Sequence, residues 1–171
     1  MNPAMSSWVA LRRRIEFAPG QSVLVLGATG NAGRMAVQVA KRFGACRVIA
    51  AGRDAGALDA LRALGADEVA GFGDLALAAD VDVVIDYVWG DPTARAMVDI
   101  VTARKDRSRP LTWIQIGSIA GMEARIPSAA LRAARLQIVG SGIGSVPGRD
   151  WIVELPGLAE ALTHGEFEVR A

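Results

Sequence analysis

Apolar residues along this chain come in two rhythms. Val23-Leu24-Val25-Leu26 is a continuous apolar run of strand length bounded by glycine, the pattern of a strand covered on both faces. Beyond it, Met35, Ala36, Val39, Ala40 and Phe43 recur at three- and four-residue spacing, which predicts a helix over Ala32 to Phe43 closed by Gly44. The cycle then repeats. Arg47 to Ala51 reads as a strand, Leu58, Leu61 and Leu64 mark a helix that Gly65 ends, and Glu68 to Phe72 is a third strand. After at most one or two helical turns over Leu75 to Ala79, Val81 to Val88 reads as a fourth, with β-branched Val83-Val84-Ile85 at its centre. Thr93 to Thr102 is predicted helical, Leu111 to Ile116 a strand, Ser128 to Ala134 a short helix and Leu136 to Val139 a strand. Ahead of all these, Met5 to Arg14 is an amphipathic helix with Met5, Trp8 and Val9 on one face, closed by the turn Pro19-Gly20. At the far end, Trp151 to Leu162 is expected to become helical in earnest after Pro156-Gly157, with Glu166 to Arg170 as a terminal strand.

Such alternation, with strands too hydrophobic for a half-exposed sheet, predicts an α/β fold: a Rossmann-like doubly wound parallel sheet with helices on both faces. The 171 residues fit one domain, 1–171. With 51% hydrophobic and 22% charged residues the chain can bury a core, unlike a disordered segment. Nineteen basic and 18 acidic residues leave a net charge of +1, so a dedicated nucleic-acid role is disfavoured. The longest apolar runs are interrupted by Asp82 and Asp86, well short of the roughly 18 to 20 residues of a membrane span. A soluble protein of the reducing cytoplasm is expected, because the single Cys46 cannot form an internal disulfide and Met1 to Phe17, with apolar residues ahead of Arg12 to Arg14, inverts the order of a secretory signal. Arg104 to Pro110, the most polar stretch, is expected to be a solvated loop.

The chemistry concentrates after the first strand. Gly27-Ala28-Thr29-Gly30-Asn31-Ala32-Gly33 puts glycines between a predicted strand and a predicted helix, and from Ala28 onward the run reads A-x-G-x-x-G, a dinucleotide fingerprint with Ala first. Gly30 lets the backbone approach a pyrophosphate, Gly33 lets the helix lie close to the strand, and the free amides at the helix start attract the anion. Thr29 and Asn31 can add side-chain donors. The bland alternative is a tight turn holding nothing.

Cofactor type should be decided at the end of the second strand, where NAD sites place an acidic residue about 20 residues after the glycines. Here Gly52-Arg53 follows Ala51, so Gly52 is expected to leave room and Arg53 to bind a 2′-phosphate, favouring NADP(H) over NAD(H). Asp54 reverses this if the strand ends late, and in the plainer alternative it merely caps the next helix while Arg53 is a solvated charge. Val88, Gly117 and Ser118, at later strand ends, are expected to line the nicotinamide side, with Trp89 read more as a packing residue than as a stacking platform. No catalytic residue and no metal ligand is assigned. One histidine, one cysteine and one tyrosine compose neither a nucleophile-base pair nor a metal cage. Cys46 is expected to be a buried small hydrophobe and His164 a helix C-terminal cap; Tyr87 has Asp91, not lysine, four residues on.

The glycine run, followed by Gln38-Val39-Ala40-Lys41 and by Leu64-Gly65-Ala66-Asp67, resembles the cofactor-binding domain of the medium-chain dehydrogenase/reductase superfamily, in particular its zinc-free, quinone oxidoreductase-like branch. The resemblance implies an NADPH-dependent oxidoreductase acting on a carbonyl, enone or quinone, with substrate held by a GroES-like catalytic domain absent from this chain, which alone is expected to be inactive. It also implies a homodimer through Leu136-Val139, and no zinc, since a gapless reading puts Asn2 where zinc enzymes of the superfamily carry a ligand cysteine. A rival class shares part of the pattern: Gly-Ala-Thr-Gly-Asn-x-Gly-Arg also echoes the atypical short-chain dehydrogenases, implying a non-catalytic NADP-binding sensor.

Overall fold

The computed structural model describes residues 3–168. Six parallel strands form one sheet: β1 (Ser22–Leu26), β2 (Arg47–Gly52), β3 (Glu68–Gly71), β4 (Val83–Asp86), β5 (Leu111–Gln115) and β6 (Leu136–Gly140), in the order β3-β2-β1-β4-β5-β6. This is the expected doubly wound α/β sheet. β1 lies in the middle, every residue buried, with Leu26 opposite Ala51 on one side and Asp86 on the other. The chain winds outward to β3, then crosses back to β4, so the strand order reverses beside β1; open α/β sheets bind ligands in the crevice that such a reversal opens at the carboxyl edge.

The helices are α1 (Pro3–Val9), continued by a π-helical turn over Ala10–Arg14, α2 (Asn31–Arg42), α3 (Ala55–Asp59), α4 (Gly90–Ala103), α5 (Ser128–Ala133) and α6 (Gly148–Thr163). Two apolar clusters, one on each face of the sheet, make the core. Trp8, Val9 and Leu11 of the first helical segment join Met35, Val39 and Leu158 in one; Trp113, Met97 and Ile100 belong to the other.

Several local expectations need correction. The helix through Leu58, Leu61 and Leu64 is broken into α3 and a 3-10 turn, Arg62–Leu64, before Gly65 closes it at φ +103. α6 begins eight residues before Pro156, with the proline inside it. Tertiary contact holds that first part: the buried Glu154 carboxylate accepts from Trp8 Nε1 and Arg13 Nε, both at 2.6 Å. Glu166 to Glu168 form no strand, and the last two residues of that expected element lie outside the described residues, as does Asn2. Arg104 is buried, not solvated: its guanidinium donates to the carbonyls of Ala79, Val81, Arg109 and Pro110, closing the loop over the foot of the sheet. Cys46 is exposed in the turn leading into β2, ahead of the buried part of that strand.

Candidate functional site

The bend between β1 and α2 is built from backbone. Gly27 takes φ +81, a conformation natural to glycine, and its amide and that of Ala28 both donate to Ala51 O at 3.0 Å, locking the bend onto β2. Gly30 N donates to Gly27 O at 3.2 Å. A Cβ on Gly33 would sit 2.2 Å from Gly27 O and 2.6 Å from Ala28 Cα, so only glycine lets α2 start this close to the strand. A Cβ on Gly30 would meet nothing nearer than Gly27 O at 3.6 Å, so its face of the bend is open. No side chain caps α2. The first-turn amides of Asn31, Ala32 and Gly33 are those a helix cannot satisfy itself, and with the positive end of the dipole they form a ready anion site. Gly30 and Asn31 are exposed, Thr29 and Ala32 half-buried, and Ala28 is buried.

At the end of β2 the alternatives separate. β2 stops at Gly52, and Asp54 caps α3, its Oδ1 accepting from Ala57 N at 2.9 Å. Arg53 is exposed and makes no ion pair among the described residues. Gly52 does not leave the expected room: a Cβ there would lie 3.0 Å from Thr29 Cγ2 and 3.3 Å from Leu58. Its lack of a side chain lets Thr29 pack against β2.

On the other side of β1, Asp86 ends β4 fully buried. Its Oδ1 accepts from Val88 N at 2.8 Å and Trp89 N at 3.0 Å, its Oδ2 from Thr93 Oγ1 at 2.7 Å and Trp113 Nε1 at 3.0 Å. This carboxylate shapes the turn from β4 into α4, a role that reading the strand end alone did not assign; the signal was an acid closing an otherwise apolar run. Val88 abuts the bend, its Cγ2 3.1 Å from where a Gly27 Cβ would be. Gly117 N donates to Asp86 O at 3.1 Å, and a Cβ on Gly117 would strike Tyr87 O at 2.6 Å, so the β4 and β5 exits run together. Ser118 Oγ contacts Met122 Sδ at 3.4 Å. The structure thus brings the glycine bend, Val88, Gly117 and Ser118 to one edge of the sheet, with Gly52 and Arg53 on the β2 side. Tyr87 turns elsewhere: its hydroxyl meets Ser6 Oγ at 2.9 Å, and burial, opposed by hydrogen bonds to Ser6 and Ser7, pushes its pKa up to about 12.

Among the described residues no group of three His, Cys, Asp or Glu side chains is placed to hold a metal ion, and no helix is long and apolar enough to cross a membrane. Two cavities of about 370 and 400 Å3 lie away from the crevice, on the outer side of α4 and beside Phe17 and Phe43.

No family model matches the sequence. A probable NADPH-dependent quinone reductase of Emericella nidulans is 34% identical over 95% of this chain and 50% of that protein. The Escherichia coli quinone oxidoreductase solved with NADPH superposes over all of this chain and 54% of its own, with TM-score 0.83 at 20% identity. The quinone oxidoreductase of Thermus thermophilus, also solved with NADPH, covers 91% of this chain with TM-score 0.73 at 27% identity, matched over 49% of its length. The chain has the sequence and fold of a cofactor-binding domain of the medium-chain dehydrogenase/reductase superfamily. It spans about half the length of the relatives it matches.

The marks that carried the superfamily resemblance have structural roles. Lys41 Nζ pairs with Asp67 Oδ2 at 2.6 Å, and Gly65, where a Cβ would meet Lys41 Cγ at 2.9 Å, makes way for it. Gln38 exchanges hydrogen bonds with the Glu168 backbone, at 2.7 and 3.2 Å. These superfamily signatures fasten α2 to its surroundings and so fix where its N-terminus points.

Proposed function

We propose that this chain is the NADP(H)-binding half of an oxidoreductase that moves hydride between the nicotinamide and a carbonyl, enone or quinone. The bend carries the reading: Gly33 is obligatory for close approach, Gly30 leaves its face open, and three helix-start amides lack a capping side chain. NADP(H) supplies the hydride chemistry when bound. Gly27 to Gly33 would hold its pyrophosphate, and Arg53, on the β2 side, its 2′-phosphate; Asp54, engaged in capping α3, is not the ribose acceptor of an NAD site. Val88, Gly117 and Ser118 would line the nicotinamide half. No zinc is needed from these residues. Substrate would be held by a catalytic domain outside residues 1–171, so the chain alone turns over no quinone, and the working enzyme would reside in the reducing cytoplasm. β6, an edge of the sheet, would pair with a second copy to make a homodimer.

Calorimetric titration tests the cofactor assignment. NADPH is expected to bind at least about tenfold tighter than NADH, the worth of a charge-assisted hydrogen bond of about 1.5 to 3 kcal/mol, and Arg53→Ala to close most of the gap. Equal affinities in the unmodified chain would remove Arg53 from the site.

A further inference from the structure

Helix α6 is built inside out over its first half. Ahead of Pro156 its one buried residue is an acid, Glu154, whereas Ile152, Val153 and Leu155 stand 68, 60 and 51% exposed. Past the proline the usual pattern returns, with Leu158 and Ala161 buried in the apolar cluster that Trp8 and Val9 also join. Apolar burial therefore secures the second half of the helix and does little for the first.

Charge secures the first half instead. The Glu154 carboxylate reaches across to the first helical segment, where Oε2 accepts from Trp8 Nε1 and, at 3.4 Å, from Arg12 Nε, and Oε1 accepts from Arg13 Nε. The Arg12 and Arg13 side chains are 54 and 33% exposed, so water competes for both guanidiniums once the carboxylate moves. The closed arrangement also carries costs. Pro156 has no N–H to give the Ile152 carbonyl and its ring crowds that oxygen, and Gly157 beside it is a poor helix former. Trp151 packs against the same cluster with its Nε1 buried and without an acceptor among the described residues. On either side the chain is anchored, by Val146 at 5% exposure and Leu158 at 3%, and prolines 147 and 156 bound the stretch between.

We propose that residues 148–155 form a strap that lifts off the first helical segment while the rest of the domain stays folded, with Glu154 as its latch and Pro156-Gly157 as its hinge. Lifting uncovers Trp8, 4% exposed when the strap is closed, and opens the Trp151 N–H to water. It needs no nucleotide.

Hydrogen exchange of the whole chain, followed amide by amide by NMR at neutral pH, tests this. In the unmodified chain the amides of residues 152–155 should be at least about tenfold less protected than those of 158–162, because the first half opens on its own. Glu154→Gln keeps the shape and removes the charge; it should cut protection at 152–155 by about a further tenfold and leave 158–162 within about twofold. Pro156→Ala restores the missing hydrogen bond and should raise protection at 152–155 by about tenfold, which a helix moving as one piece does not predict. The comparison within the unmodified chain stands whether or not either variant folds. Equal protection of the two halves there, a Glu154→Gln loss spread evenly over both, or no gain at 152–155 in Pro156→Ala would overturn the strap.

Discussion

Gly33→Ala and Gly30→Ala differ by three positions in one bend, yet they should fail in opposite ways. At Gly33 the new methyl would lie 2.2 Å from Gly27 O and 2.6 Å from Ala28 Cα, both backbone atoms that no rotamer change can move aside. Overpacking costs about 1 to 3 kcal/mol, and contact this close belongs at the upper end; exchanging glycine for alanine in a helix returns about 1 kcal/mol. The net loss is about 2 kcal/mol. For a domain of this size that lowers Tm by about 4 to 8 °C. At Gly30, with φ −75 and ψ 163, an L residue is at ease and the nearest atom is 3.6 Å away. The cost there is below about 1 kcal/mol, the preference for glycine over alanine at an N-cap. Its methyl would instead fill the face left open for the pyrophosphate, and NADPH affinity should fall by at least about tenfold, which is about 1.4 kcal/mol. Differential scanning calorimetry and an NADPH titration on both variants measure the two effects. A Gly33→Ala chain as stable as the unmodified one, or a Gly30→Ala chain that binds NADPH undiminished, would refute the account of this bend.

Two buried carboxylates give predictions of their own. Burial alone would raise the Glu154 pKa, yet the Trp8 N–H and the charges of Arg12 and Arg13 hold it below its usual 4.5. A lowered folded value means that Glu154 stabilises the chain above about pH 4.5 and ceases to as pH falls through the folded value. Glu154→Gln should cost about 1 to 3 kcal/mol at about pH 7, and the Tm difference between the two chains should shrink on acidification from about pH 5 to 3. A difference independent of pH over that range would contradict this. Asp86→Asn turns an acceptor pair that serves four donors into one acceptor and one NH2 group; about 2 kcal/mol of stability should be lost, read as a lower urea midpoint with unchanged slope.

Much of this was legible in the residues. Buried parallel strands such as Val23 to Leu26 announce themselves as unbroken apolar runs, and the glycines after them have spacing that only a close strand-to-helix passage requires. What escaped the sequence depended on partners distant along the chain. Pro156 suggests a helix start, but Glu154 reaching Trp8, 146 residues away, overrides it. Arg104 looks like part of a solvated run until its guanidinium is seen closing four carbonyls. Gly52 suggested space for a phosphate; the space holds Thr29, a residue of the bend itself. Trp89 reads more as a packing residue than as a stacking platform, and neither its φ of +52 nor its absence from both apolar clusters is encoded locally. The ordering principle is distance: periodicity reports what a residue's own element needs, and long-range hydrogen bonds decide the exceptions.

The claim on which the function rests is that the α2 start offers its amides to a diphosphate. Titrating NADPH into uniformly 15N-labelled chain and following the amides by NMR tests it directly. The account predicts saturable shifts, largest at Asn31, Ala32 and Gly33, with the same residues responding more weakly to NADH. Saturating NADPH that leaves those three amides unmoved would contradict it.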